Sequence, residues 1–307
     1  MTDFENFVAK QPPYPWTITR NHPNEWLNGN SALVVNMRRF ERIVENLKKY
    51  YKNGSTILDV GVFPGLMPQI FYNYFPRDQH ASYIGAGLGF TEEFELEMSS
   101  MKIKLIQADL EPRLKPDSST LPSKLPIENV SVDMTFFTDV IEHFFDPFYP
   151  LTEINRTLKM GGILILTTDN INRYENLNLF LRGRSPNVPL IESNIFYNGP
   201  WRPHFREFSK HELVTLLDWA GFEVAHHEFF EAEFGSYRIK DGNLHKREDK
   251  GLKALLRSAL KNLLPHLKDN HLIVARKVRE YDPTGETSPT MTSDIDAWVN
   301  LRKHFSK

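Results

Sequence analysis

The stretch ILDVGVFPG, residues 57–65, decides the fold of this chain. Residues 56–60 are typical of a strand buried on both faces, and residues 67–74 have a helical pattern. A strand that ends in Asp59, a turn at Gly61 and Gly65 and a following helix bring a carboxylate and backbone N–H groups to one edge of a parallel sheet, where ligands bind. The pattern alone also fits a plain structural turn, because glycine turns after strands are common.

Apolar runs that alternate with helical patterns extend this unit along the chain. Further strands are predicted at residues 81–86, 103–107, 132–137, 163–168, 222–230 and 271–277. Helices are predicted at residues 31–51, 139–144, 151–158 and 209–220, with an amphipathic helix from Leu252 to Leu263. The Gly161-Gly162 pair is expected to stop the helix that precedes it. Strands alternating with helices predict an α/β fold, a mainly parallel sheet covered on both faces.

Composition limits the kinds of chemistry available. The 307 residues carry a formal net charge of -2 and no cysteine. Disulfides, cysteine–zinc sites, iron–sulfur clusters and thiol catalysis are therefore excluded, and no excess of positive charge favours nucleic acid or an anionic membrane as partner. No apolar run is long enough to span a bilayer. The N-terminus lacks the pattern of a secretory signal, so a cytoplasmic protein without a membrane partner is expected.

The domain boundaries follow from these patterns. We expect an irregular segment and a helix at residues 1–52, the α/β domain at residues 53–278 and a tail at residues 279–307. Residues 170–208 are long, irregular in pattern and rich in aromatics and arginine. A long segment after a strand end is often a lid or a substrate loop, so we expect a lid there.

Three later stretches give the chain a family resemblance. They are TDVIEHFFDP at 138–147, RTLKMGGILILTTDN at 156–170 and HFREFSKHELVTLLDWAGFEV at 204–224. Together with the first stretch, they resemble class I methyltransferases that use S-adenosylmethionine (SAM), and most closely the stand-alone enzymes that act on sugars and other small metabolites. The resemblance covers roughly residues 39–277. It implies a Rossmann-like, seven-stranded sheet in which only the last strand is antiparallel.

The resemblance also assigns residues to the cofactor. It implies that Asp59, Gly61 and Gly65 surround the methionine part of SAM, and that Asp109 binds the adenine amino group, with a backbone contact from Leu110. Thr138 and Asp139, at the end of the fourth strand, are expected beneath the donor and facing the acceptor.

Two positions depart from the family pattern. Phe63 replaces the middle glycine of the turn, and Gly87 stands where an acidic residue normally holds the ribose hydroxyls. We therefore expect SAM to be held differently around Phe63 and Gly87. The second departure also leaves open a non-catalytic protein that uses the same fold as a scaffold.

A second group of residues suggests catalysis. Asp139, Glu142 and His143 have the i, i+3, i+4 spacing that puts side chains on one helix face, and His204 follows later. One interpretation is acid–base catalysis by His143 or His204 together with Glu142. Another is a metal site for Mg²⁺, Mn²⁺ or Fe²⁺, a set that resembles metal-using O-methyltransferases, including those of RNA ribose. A third is that Glu142 and His143 only position the helix.

These observations predict a SAM-dependent methyltransferase (EC 2.1.1.-). The expected reaction is O-methylation of a small acceptor, such as a sugar, a nucleotide-sugar or a precursor in polysaccharide biosynthesis, without a metal. An RNA ribose 2′-O-methyltransferase with a metal site is the alternative enzyme, although the charge balance makes nucleic acid an unlikely partner.

Overall fold

The computed structural model describes residues 2–9, 34, 36–75, 81–111, 123–187, 202–233, 236–240, 243–246 and 251–282. Seven strands form the main sheet: β1 (Thr56–Val60), β2 (Ser82–Gly87), β3 (Lys104–Gln107), β4 (Val132–Thr138), β5 (Leu158–Asp169), β6 (Phe222–Phe230) and β9 (Asn270–Lys277). Their order in space is β3-β2-β1-β4-β5-β9-β6. Only β9 is antiparallel to its neighbours, β5 and β6. This order confirms the predicted Rossmann-like sheet.

Helices cover both faces of this sheet. They are α1 (Asp3–Ala9), α2 (Met37–Tyr50), α3 (Leu66–Tyr74), α4 (Glu92–Ser100), α5 (Phe148–Thr157), α6 (Tyr174–Leu181), α7 (Lys210–Trp219) and α8 (Leu252–Leu263). Successive residues of a strand point to opposite faces, so Ile57 joins one apolar core with α2, α3 and α4, whereas Leu58 joins a second core with α5 and α7. Both residues are fully buried, which explains the continuous apolar run in β1.

Two predictions around the fourth and fifth strands are wrong. Gly161 and Gly162 do not stop a helix, since α5 ends at Thr157 and both glycines lie inside β5. They accommodate an irregularity in register between β4 and β5, and Gly161 has a φ of 76° there. The helix predicted at 139–144 is only a 3-10 turn at Ile141–His143.

The lid segment is partly regular. Residues 174–181 form α6, and the segment returns at Phe208, which bridges to Asn170. A capping box precedes the next helix, with Ser209 and Glu212 each bonded to the other's backbone N–H. Residues 188–201 of the lid and 283–307 of the predicted tail lie outside the described residues, as do most of the first thirty residues.

A small hairpin was missed by the sequence analysis. Strands β7 (Tyr237–Lys240) and β8 (Asn243–Lys246) pair antiparallel, and His245 and Lys246 lie in β8. No helix in the described part of the chain is long and apolar enough to cross a membrane.

Candidate active site

The carboxyl ends of β1, β4 and β5 lie side by side at one edge of the sheet. Asp59 is in β1, Thr138 ends β4 with Asp139 directly after it, and Asp169 ends β5. The parallel register of these strands brings the three ends together. Edges of this kind are where ligands bind in doubly wound sheets.

Asp59 is a buried carboxylate with a tyrosine partner. It is 2% exposed, and the Tyr83 hydroxyl donates a hydrogen bond of 2.9 Å to its Oδ2. Burial raises the pKa of Asp59 to about 7, although the hydrogen bond from Tyr83 acts in the opposite direction. A cationic ligand would therefore gain a buried anion as its partner.

The turn after β1 is folded back onto the sheet. The N–H groups of Gly61 and Val62 both donate to the carbonyl of Ala86 in β2, at 2.8 and 3.2 Å. Gly61 has a φ of +85°, and a Cβ there would lie 2.4 Å from a methyl group of Val140. Only glycine therefore fits, for both conformational and steric reasons.

Aromatic side chains stand at the two departures from the family pattern. A Cβ on Gly87 would meet the Phe90 ring at 2.9 Å, so this ring occupies the space where an acidic side chain would begin. Phe90 stacks on Phe94 with ring centroids 5.4 Å apart, and Phe63 packs on the same Phe94 ring at 5.2 Å. These contacts place an apolar surface where the family pattern has a glycine and an acidic residue.

Asp109 forms an ion pair with Arg202, a residue of the lid. The Arg202 guanidinium donates to both of its carboxylate oxygens, at 2.9 and 2.7 Å. Asp109 also accepts from the N–H of Glu111 at 3.0 Å, and Asp109 and Leu110 are each 4% exposed. An adenine amino group could reach this carboxylate only after Arg202 has moved.

Asp139 has its own partners, which sequence reasoning missed. It forms an ion pair with Arg39 of α2, and its Oδ1 accepts from the Thr167 hydroxyl at 2.9 Å. Its φ of 54° is rare for a residue with a side chain. Burial lowers the pKa of Arg39, although the carboxylates of Asp169 and Glu142 nearby favour its charged form. No local pattern marks Arg39, because it lies 100 positions before Asp139 in the sequence.

Glu142, His143 and His204 come together although the predicted helix face does not exist. Each offers a ligand atom within 4.8 Å of the others. The two imidazole rings meet edge to face, with centroids 4.6 Å apart. Glu142 is 1% exposed and accepts from the Thr168 hydroxyl at 2.9 Å. Burial, and then the Asp169 carboxylate, raise the pKa of Glu142 well above its ordinary value.

The two histidines have different surroundings. His143 Nδ1 lies 2.5 Å from the carbonyl oxygen of Arg202, which can only accept, so the proton is assigned to Nδ1. Burial, and then His204, lower the pKa of His143 to about 4. His204 is more open, with 29% of its side chain exposed, and its Nδ1 lies 3.5 Å from Asp169 Oδ2. Asp169, His204 and Glu207 form a second close group.

The candidate site contains side-chain partners that the sequence did not predict. The structure adds Asp169 beside His204, Arg39 beside Asp139, Arg202 on Asp109 and Tyr83 on Asp59. Of these four added residues, Asp169 could have been predicted from the sequence, since it is an acidic residue at the end of a predicted strand. Asp139 belongs to neither of the close groups of possible metal ligands in the described residues.

Comparisons with known proteins agree with this fold. Residues 84–166 match a family model described as a methyltransferase domain. A Mycolicibacterium smegmatis protein named "Probable S-adenosylmethionine-dependent methyltransferase" is 35% identical over 102 residues, which are 33% of this chain and 33% of that protein. The chain thus matches about a third of the length of this curated relative.

Solved structures with the same general shape include two from archaea. A chain of the complex between the Haloferax volcanii Trm112 methyltransferase activator and a methyltransferase is 15% identical, with a TM-score of 0.48, over 91% of this chain and 99% of that chain. A SAM-dependent methyltransferase from Methanosarcina mazei is 17% identical, with a TM-score of 0.48, over 78% of this chain and 98% of that chain.

The strand order, the matched family model and the curated relative agree with one another. The chain has the seven-stranded sheet that the resemblance to class I SAM-dependent methyltransferases implies, and its residues 84–166 match a methyltransferase domain. The comparisons support SAM as its cofactor. The residues around the glycine turn fit the methionine part of this cofactor, since Asp59 is a buried carboxylate beside a close backbone turn.

Proposed function

We propose that the protein transfers the methyl group of SAM to a hydroxyl group of a small acceptor. The observation that carries this proposal is the pairing of His204 with Asp169 at the end of β5, at the same sheet edge as Asp59 and two strands from it. SAM supplies an activated methyl group, so the protein needs to align the acceptor and remove its proton. O-methylation is favoured because a hydroxyl has to lose a proton to a base.

His204 is the better candidate for this base. Asp169 near its Nδ1 would orient the ring and stabilise the imidazolium that forms. The low pKa of His143 makes it a weak base, and its Nδ1 is held by the Arg202 carbonyl. We therefore assign His143 and Glu142 to the wall of the acceptor site.

The acceptor class follows from the lid. Arg182 and Arg184 are exposed after α6, and Arg173 is held by Glu207 at 2.6 Å. Guanidinium groups suit phosphorylated or nucleotide-linked sugars, which are therefore the acceptors to test first. Asp59 and the glycine turn would hold the donor, with Thr138 and Asp139 between donor and acceptor.

A metal-assisted version of the same reaction has one specific observation in its favour. Glu142, His143 and His204 offer two imidazoles and a carboxylate at distances that suit one ion. In that version His204 is a ligand and not a base, and the acceptor hydroxyl would be activated by the ion.

The test is methyl transfer to a panel of sugars, sugar phosphates, nucleotide-sugars and short RNAs, with and without EDTA. His204→Ala should lower turnover by roughly 10²–10⁴-fold, the usual range for a general base, and leave the affinity for SAM unchanged. The matched control is His226→Ala, a partly exposed histidine on β6. Activity lost in EDTA and restored by Mn²⁺ would favour the metal version. Absence of SAM binding in calorimetry would overturn the proposed function.

A further inference from the structure

Helix α8 turns its apolar face away from the domain. Leu252, Leu255, Leu256 and Leu263 are between 59% and 77% exposed, whereas Lys261 is only 6% exposed. Surface helices of globular proteins normally bury the apolar stripe and expose the charged residues. The arrangement here is the reverse, so the leucines form an apolar surface in contact with solvent.

Ion pairs fix this orientation. The Lys261 ammonium lies 3.1 Å from a carboxylate oxygen of Glu175 in α6 and 3.1 Å from one of Glu231, which follows β6. At 100° per residue, Lys261 is on the side of the helix opposite Leu252. Seating the lysine against the two glutamates therefore forces Leu252 and its neighbours outward.

The neighbouring helix adds to the same surface. Leu177, Phe180 and Leu181 of α6 are 42%, 59% and 80% exposed, and α6 is joined to α8 by the Glu175–Lys261 ion pair. Two adjacent helices therefore both present large apolar side chains to solvent. Exposed apolar side chains in such numbers mark interaction sites.

The charged residues of α8 and of the turn after it are all basic. Residues 251–268 contain Lys253, Arg257, Lys261 and Lys268 and no aspartate or glutamate, in a chain whose formal net charge is -2. Lys261 is neutralised on the domain side by Glu175 and Glu231, whereas Lys253 is exposed at the border of the leucine face. A helix with leucines on one face and an exposed lysine at its border has the composition of helices that lie in the interface of a bilayer.

We propose that α8, together with the end of α6, docks on the surface of an anionic lipid bilayer. The leucines would enter the boundary between headgroups and acyl chains, and the exposed Lys253 at the border of the leucine face would face the lipid phosphates. A second copy of the chain is a poorer partner, because the Lys253 side chains of two facing α8 helices would meet no acidic residue of 251–268. This membrane partner is one that the overall composition did not predict.

The surface lies beside the candidate active site. α6 follows directly after β5, whose end carries Asp169. A bilayer docked there would lie near the site, although the docking proposal goes beyond the proposed function and does not depend on methyl transfer.

Vesicle flotation of the full chain tests the proposal. The chain should float with vesicles of phosphatidylcholine containing phosphatidylglycerol, and much less with vesicles of phosphatidylcholine alone or at high salt. The double variant Leu256→Glu/Leu263→Glu should bind at least about tenfold more weakly, because two charges would enter the interface. Lys253→Glu should weaken binding by roughly fivefold or more.

The control for the leucine variant is Leu96→Glu on α4, since Leu96 is 66% exposed on another helix. This variant should float like the unsubstituted chain, and circular dichroism should show all variants folded. Absence of flotation at any lipid composition would overturn the proposal, as would flotation that the leucine variant leaves unchanged. A concentration-dependent dimer that the leucine variant abolishes, without vesicle binding, would assign the surface to a second copy.

Discussion

At the scale of single residues, the titration of Asp59 should control cofactor affinity. Its pKa of about 7 means that the free protein holds the neutral carboxyl below this pH. The cationic methionine part of SAM favours the ionised form, so binding below about pH 7 has to release a proton. We expect the Kd for SAM to fall as pH rises from about 5 to 7 and to level above that, in calorimetry in buffers of different ionisation enthalpy.

Tyr83→Phe is the matching variant for Asp59. It removes the hydroxyl that stabilises the ionised carboxylate, so the pH at which affinity levels should move upward. An unchanged profile in this variant, or a pH-independent affinity in the unsubstituted chain, would show that Asp59 does not face the cofactor.

The Arg202–Asp109 pair makes a second prediction at this scale. Arg202 binds both oxygens of Asp109, so if Asp109 binds the adenine amino group, as the family resemblance implies, the cofactor has to compete with this ion pair. Arg202→Ala should therefore tighten SAM binding several-fold, because no competing donor is left. Arg206→Ala is the control, since Arg206 is a more exposed arginine of the same segment that pairs with Glu212. Weaker binding in Arg202→Ala would instead mean that the arginine contacts the cofactor.

At the scale of elements, two histidines link the beginning and the end of the lid, at Ile171 and Phe208, to the sheet. His271 of β9 is fully buried, and its Nε2 lies 3.0 Å from the carbonyl of Phe208, where the lid ends. The same carbonyl accepts from Ile171 N–H at 3.0 Å, where the lid begins. His227 of β6 contacts the other ring nitrogen of His271 at 3.0 Å. The contact between the two rings needs one N–H and one lone pair, so it is lost when both rings are protonated.

Acid should weaken this attachment. Burial lowers the pKa of His271 to about 4 and, with His271 itself and Lys210 opposing a further charge, that of His227 to about 3. Below about pH 6.5, His227 and His271 bind protons in the unfolded chain but not in the folded protein. The free energy of unfolding therefore falls as pH drops toward 4. The Phe208 carbonyl and Asp169 act in the opposite direction on His271.

Denaturant unfolding at several pH values checks this prediction. The loss should approach at most about 1.4 kcal/mol per pH unit for the fully buried His271. His271→Gln keeps an N–H donor for Phe208 and should flatten the slope, while His245→Gln, an exposed histidine of β8, should not. Equal slopes in both variants would place the acid sensitivity elsewhere.

The elements themselves followed closely from local patterns. β1 and β6 have the bounds that the sequence predicted, because apolar runs and a terminating glycine are local signals. The prediction that Gly161-Gly162 ends a helix was wrong because a glycine pair also occurs in irregular strands. Only the register of β5 with β4 decides between a helix end and an irregular strand. The sequence also could not predict which face of α8 is exposed to solvent. That orientation depends on ion pairs with Glu175 and Glu231 in other parts of the chain.

At the scale of the whole molecule, the sequence located the candidate site but not its contacts. The strand ends that carry Asp59, Asp139 and Asp169 follow from topology, which the alternating pattern predicts. Arg39 and Arg202 reach the same place from a helix before β1 and from the far side of the lid. Contacts at such separations leave no spacing in the sequence, so side-chain partners had to come from the structure.

The position of β9 has a consequence for synthesis on the ribosome. Among the strands that the structure describes, β6 is hydrogen-bonded to β9 alone, and β5 pairs with β9 along residues 163–169. While the nascent chain is shorter than residue 277, the edge of β5 lacks its partner and β6 has no place in the sheet. Exposed strand edges attract other chains. The edge of β5 in the growing polypeptide is therefore exposed to other chains until β9 has emerged from the exit tunnel and paired with β5 and β6.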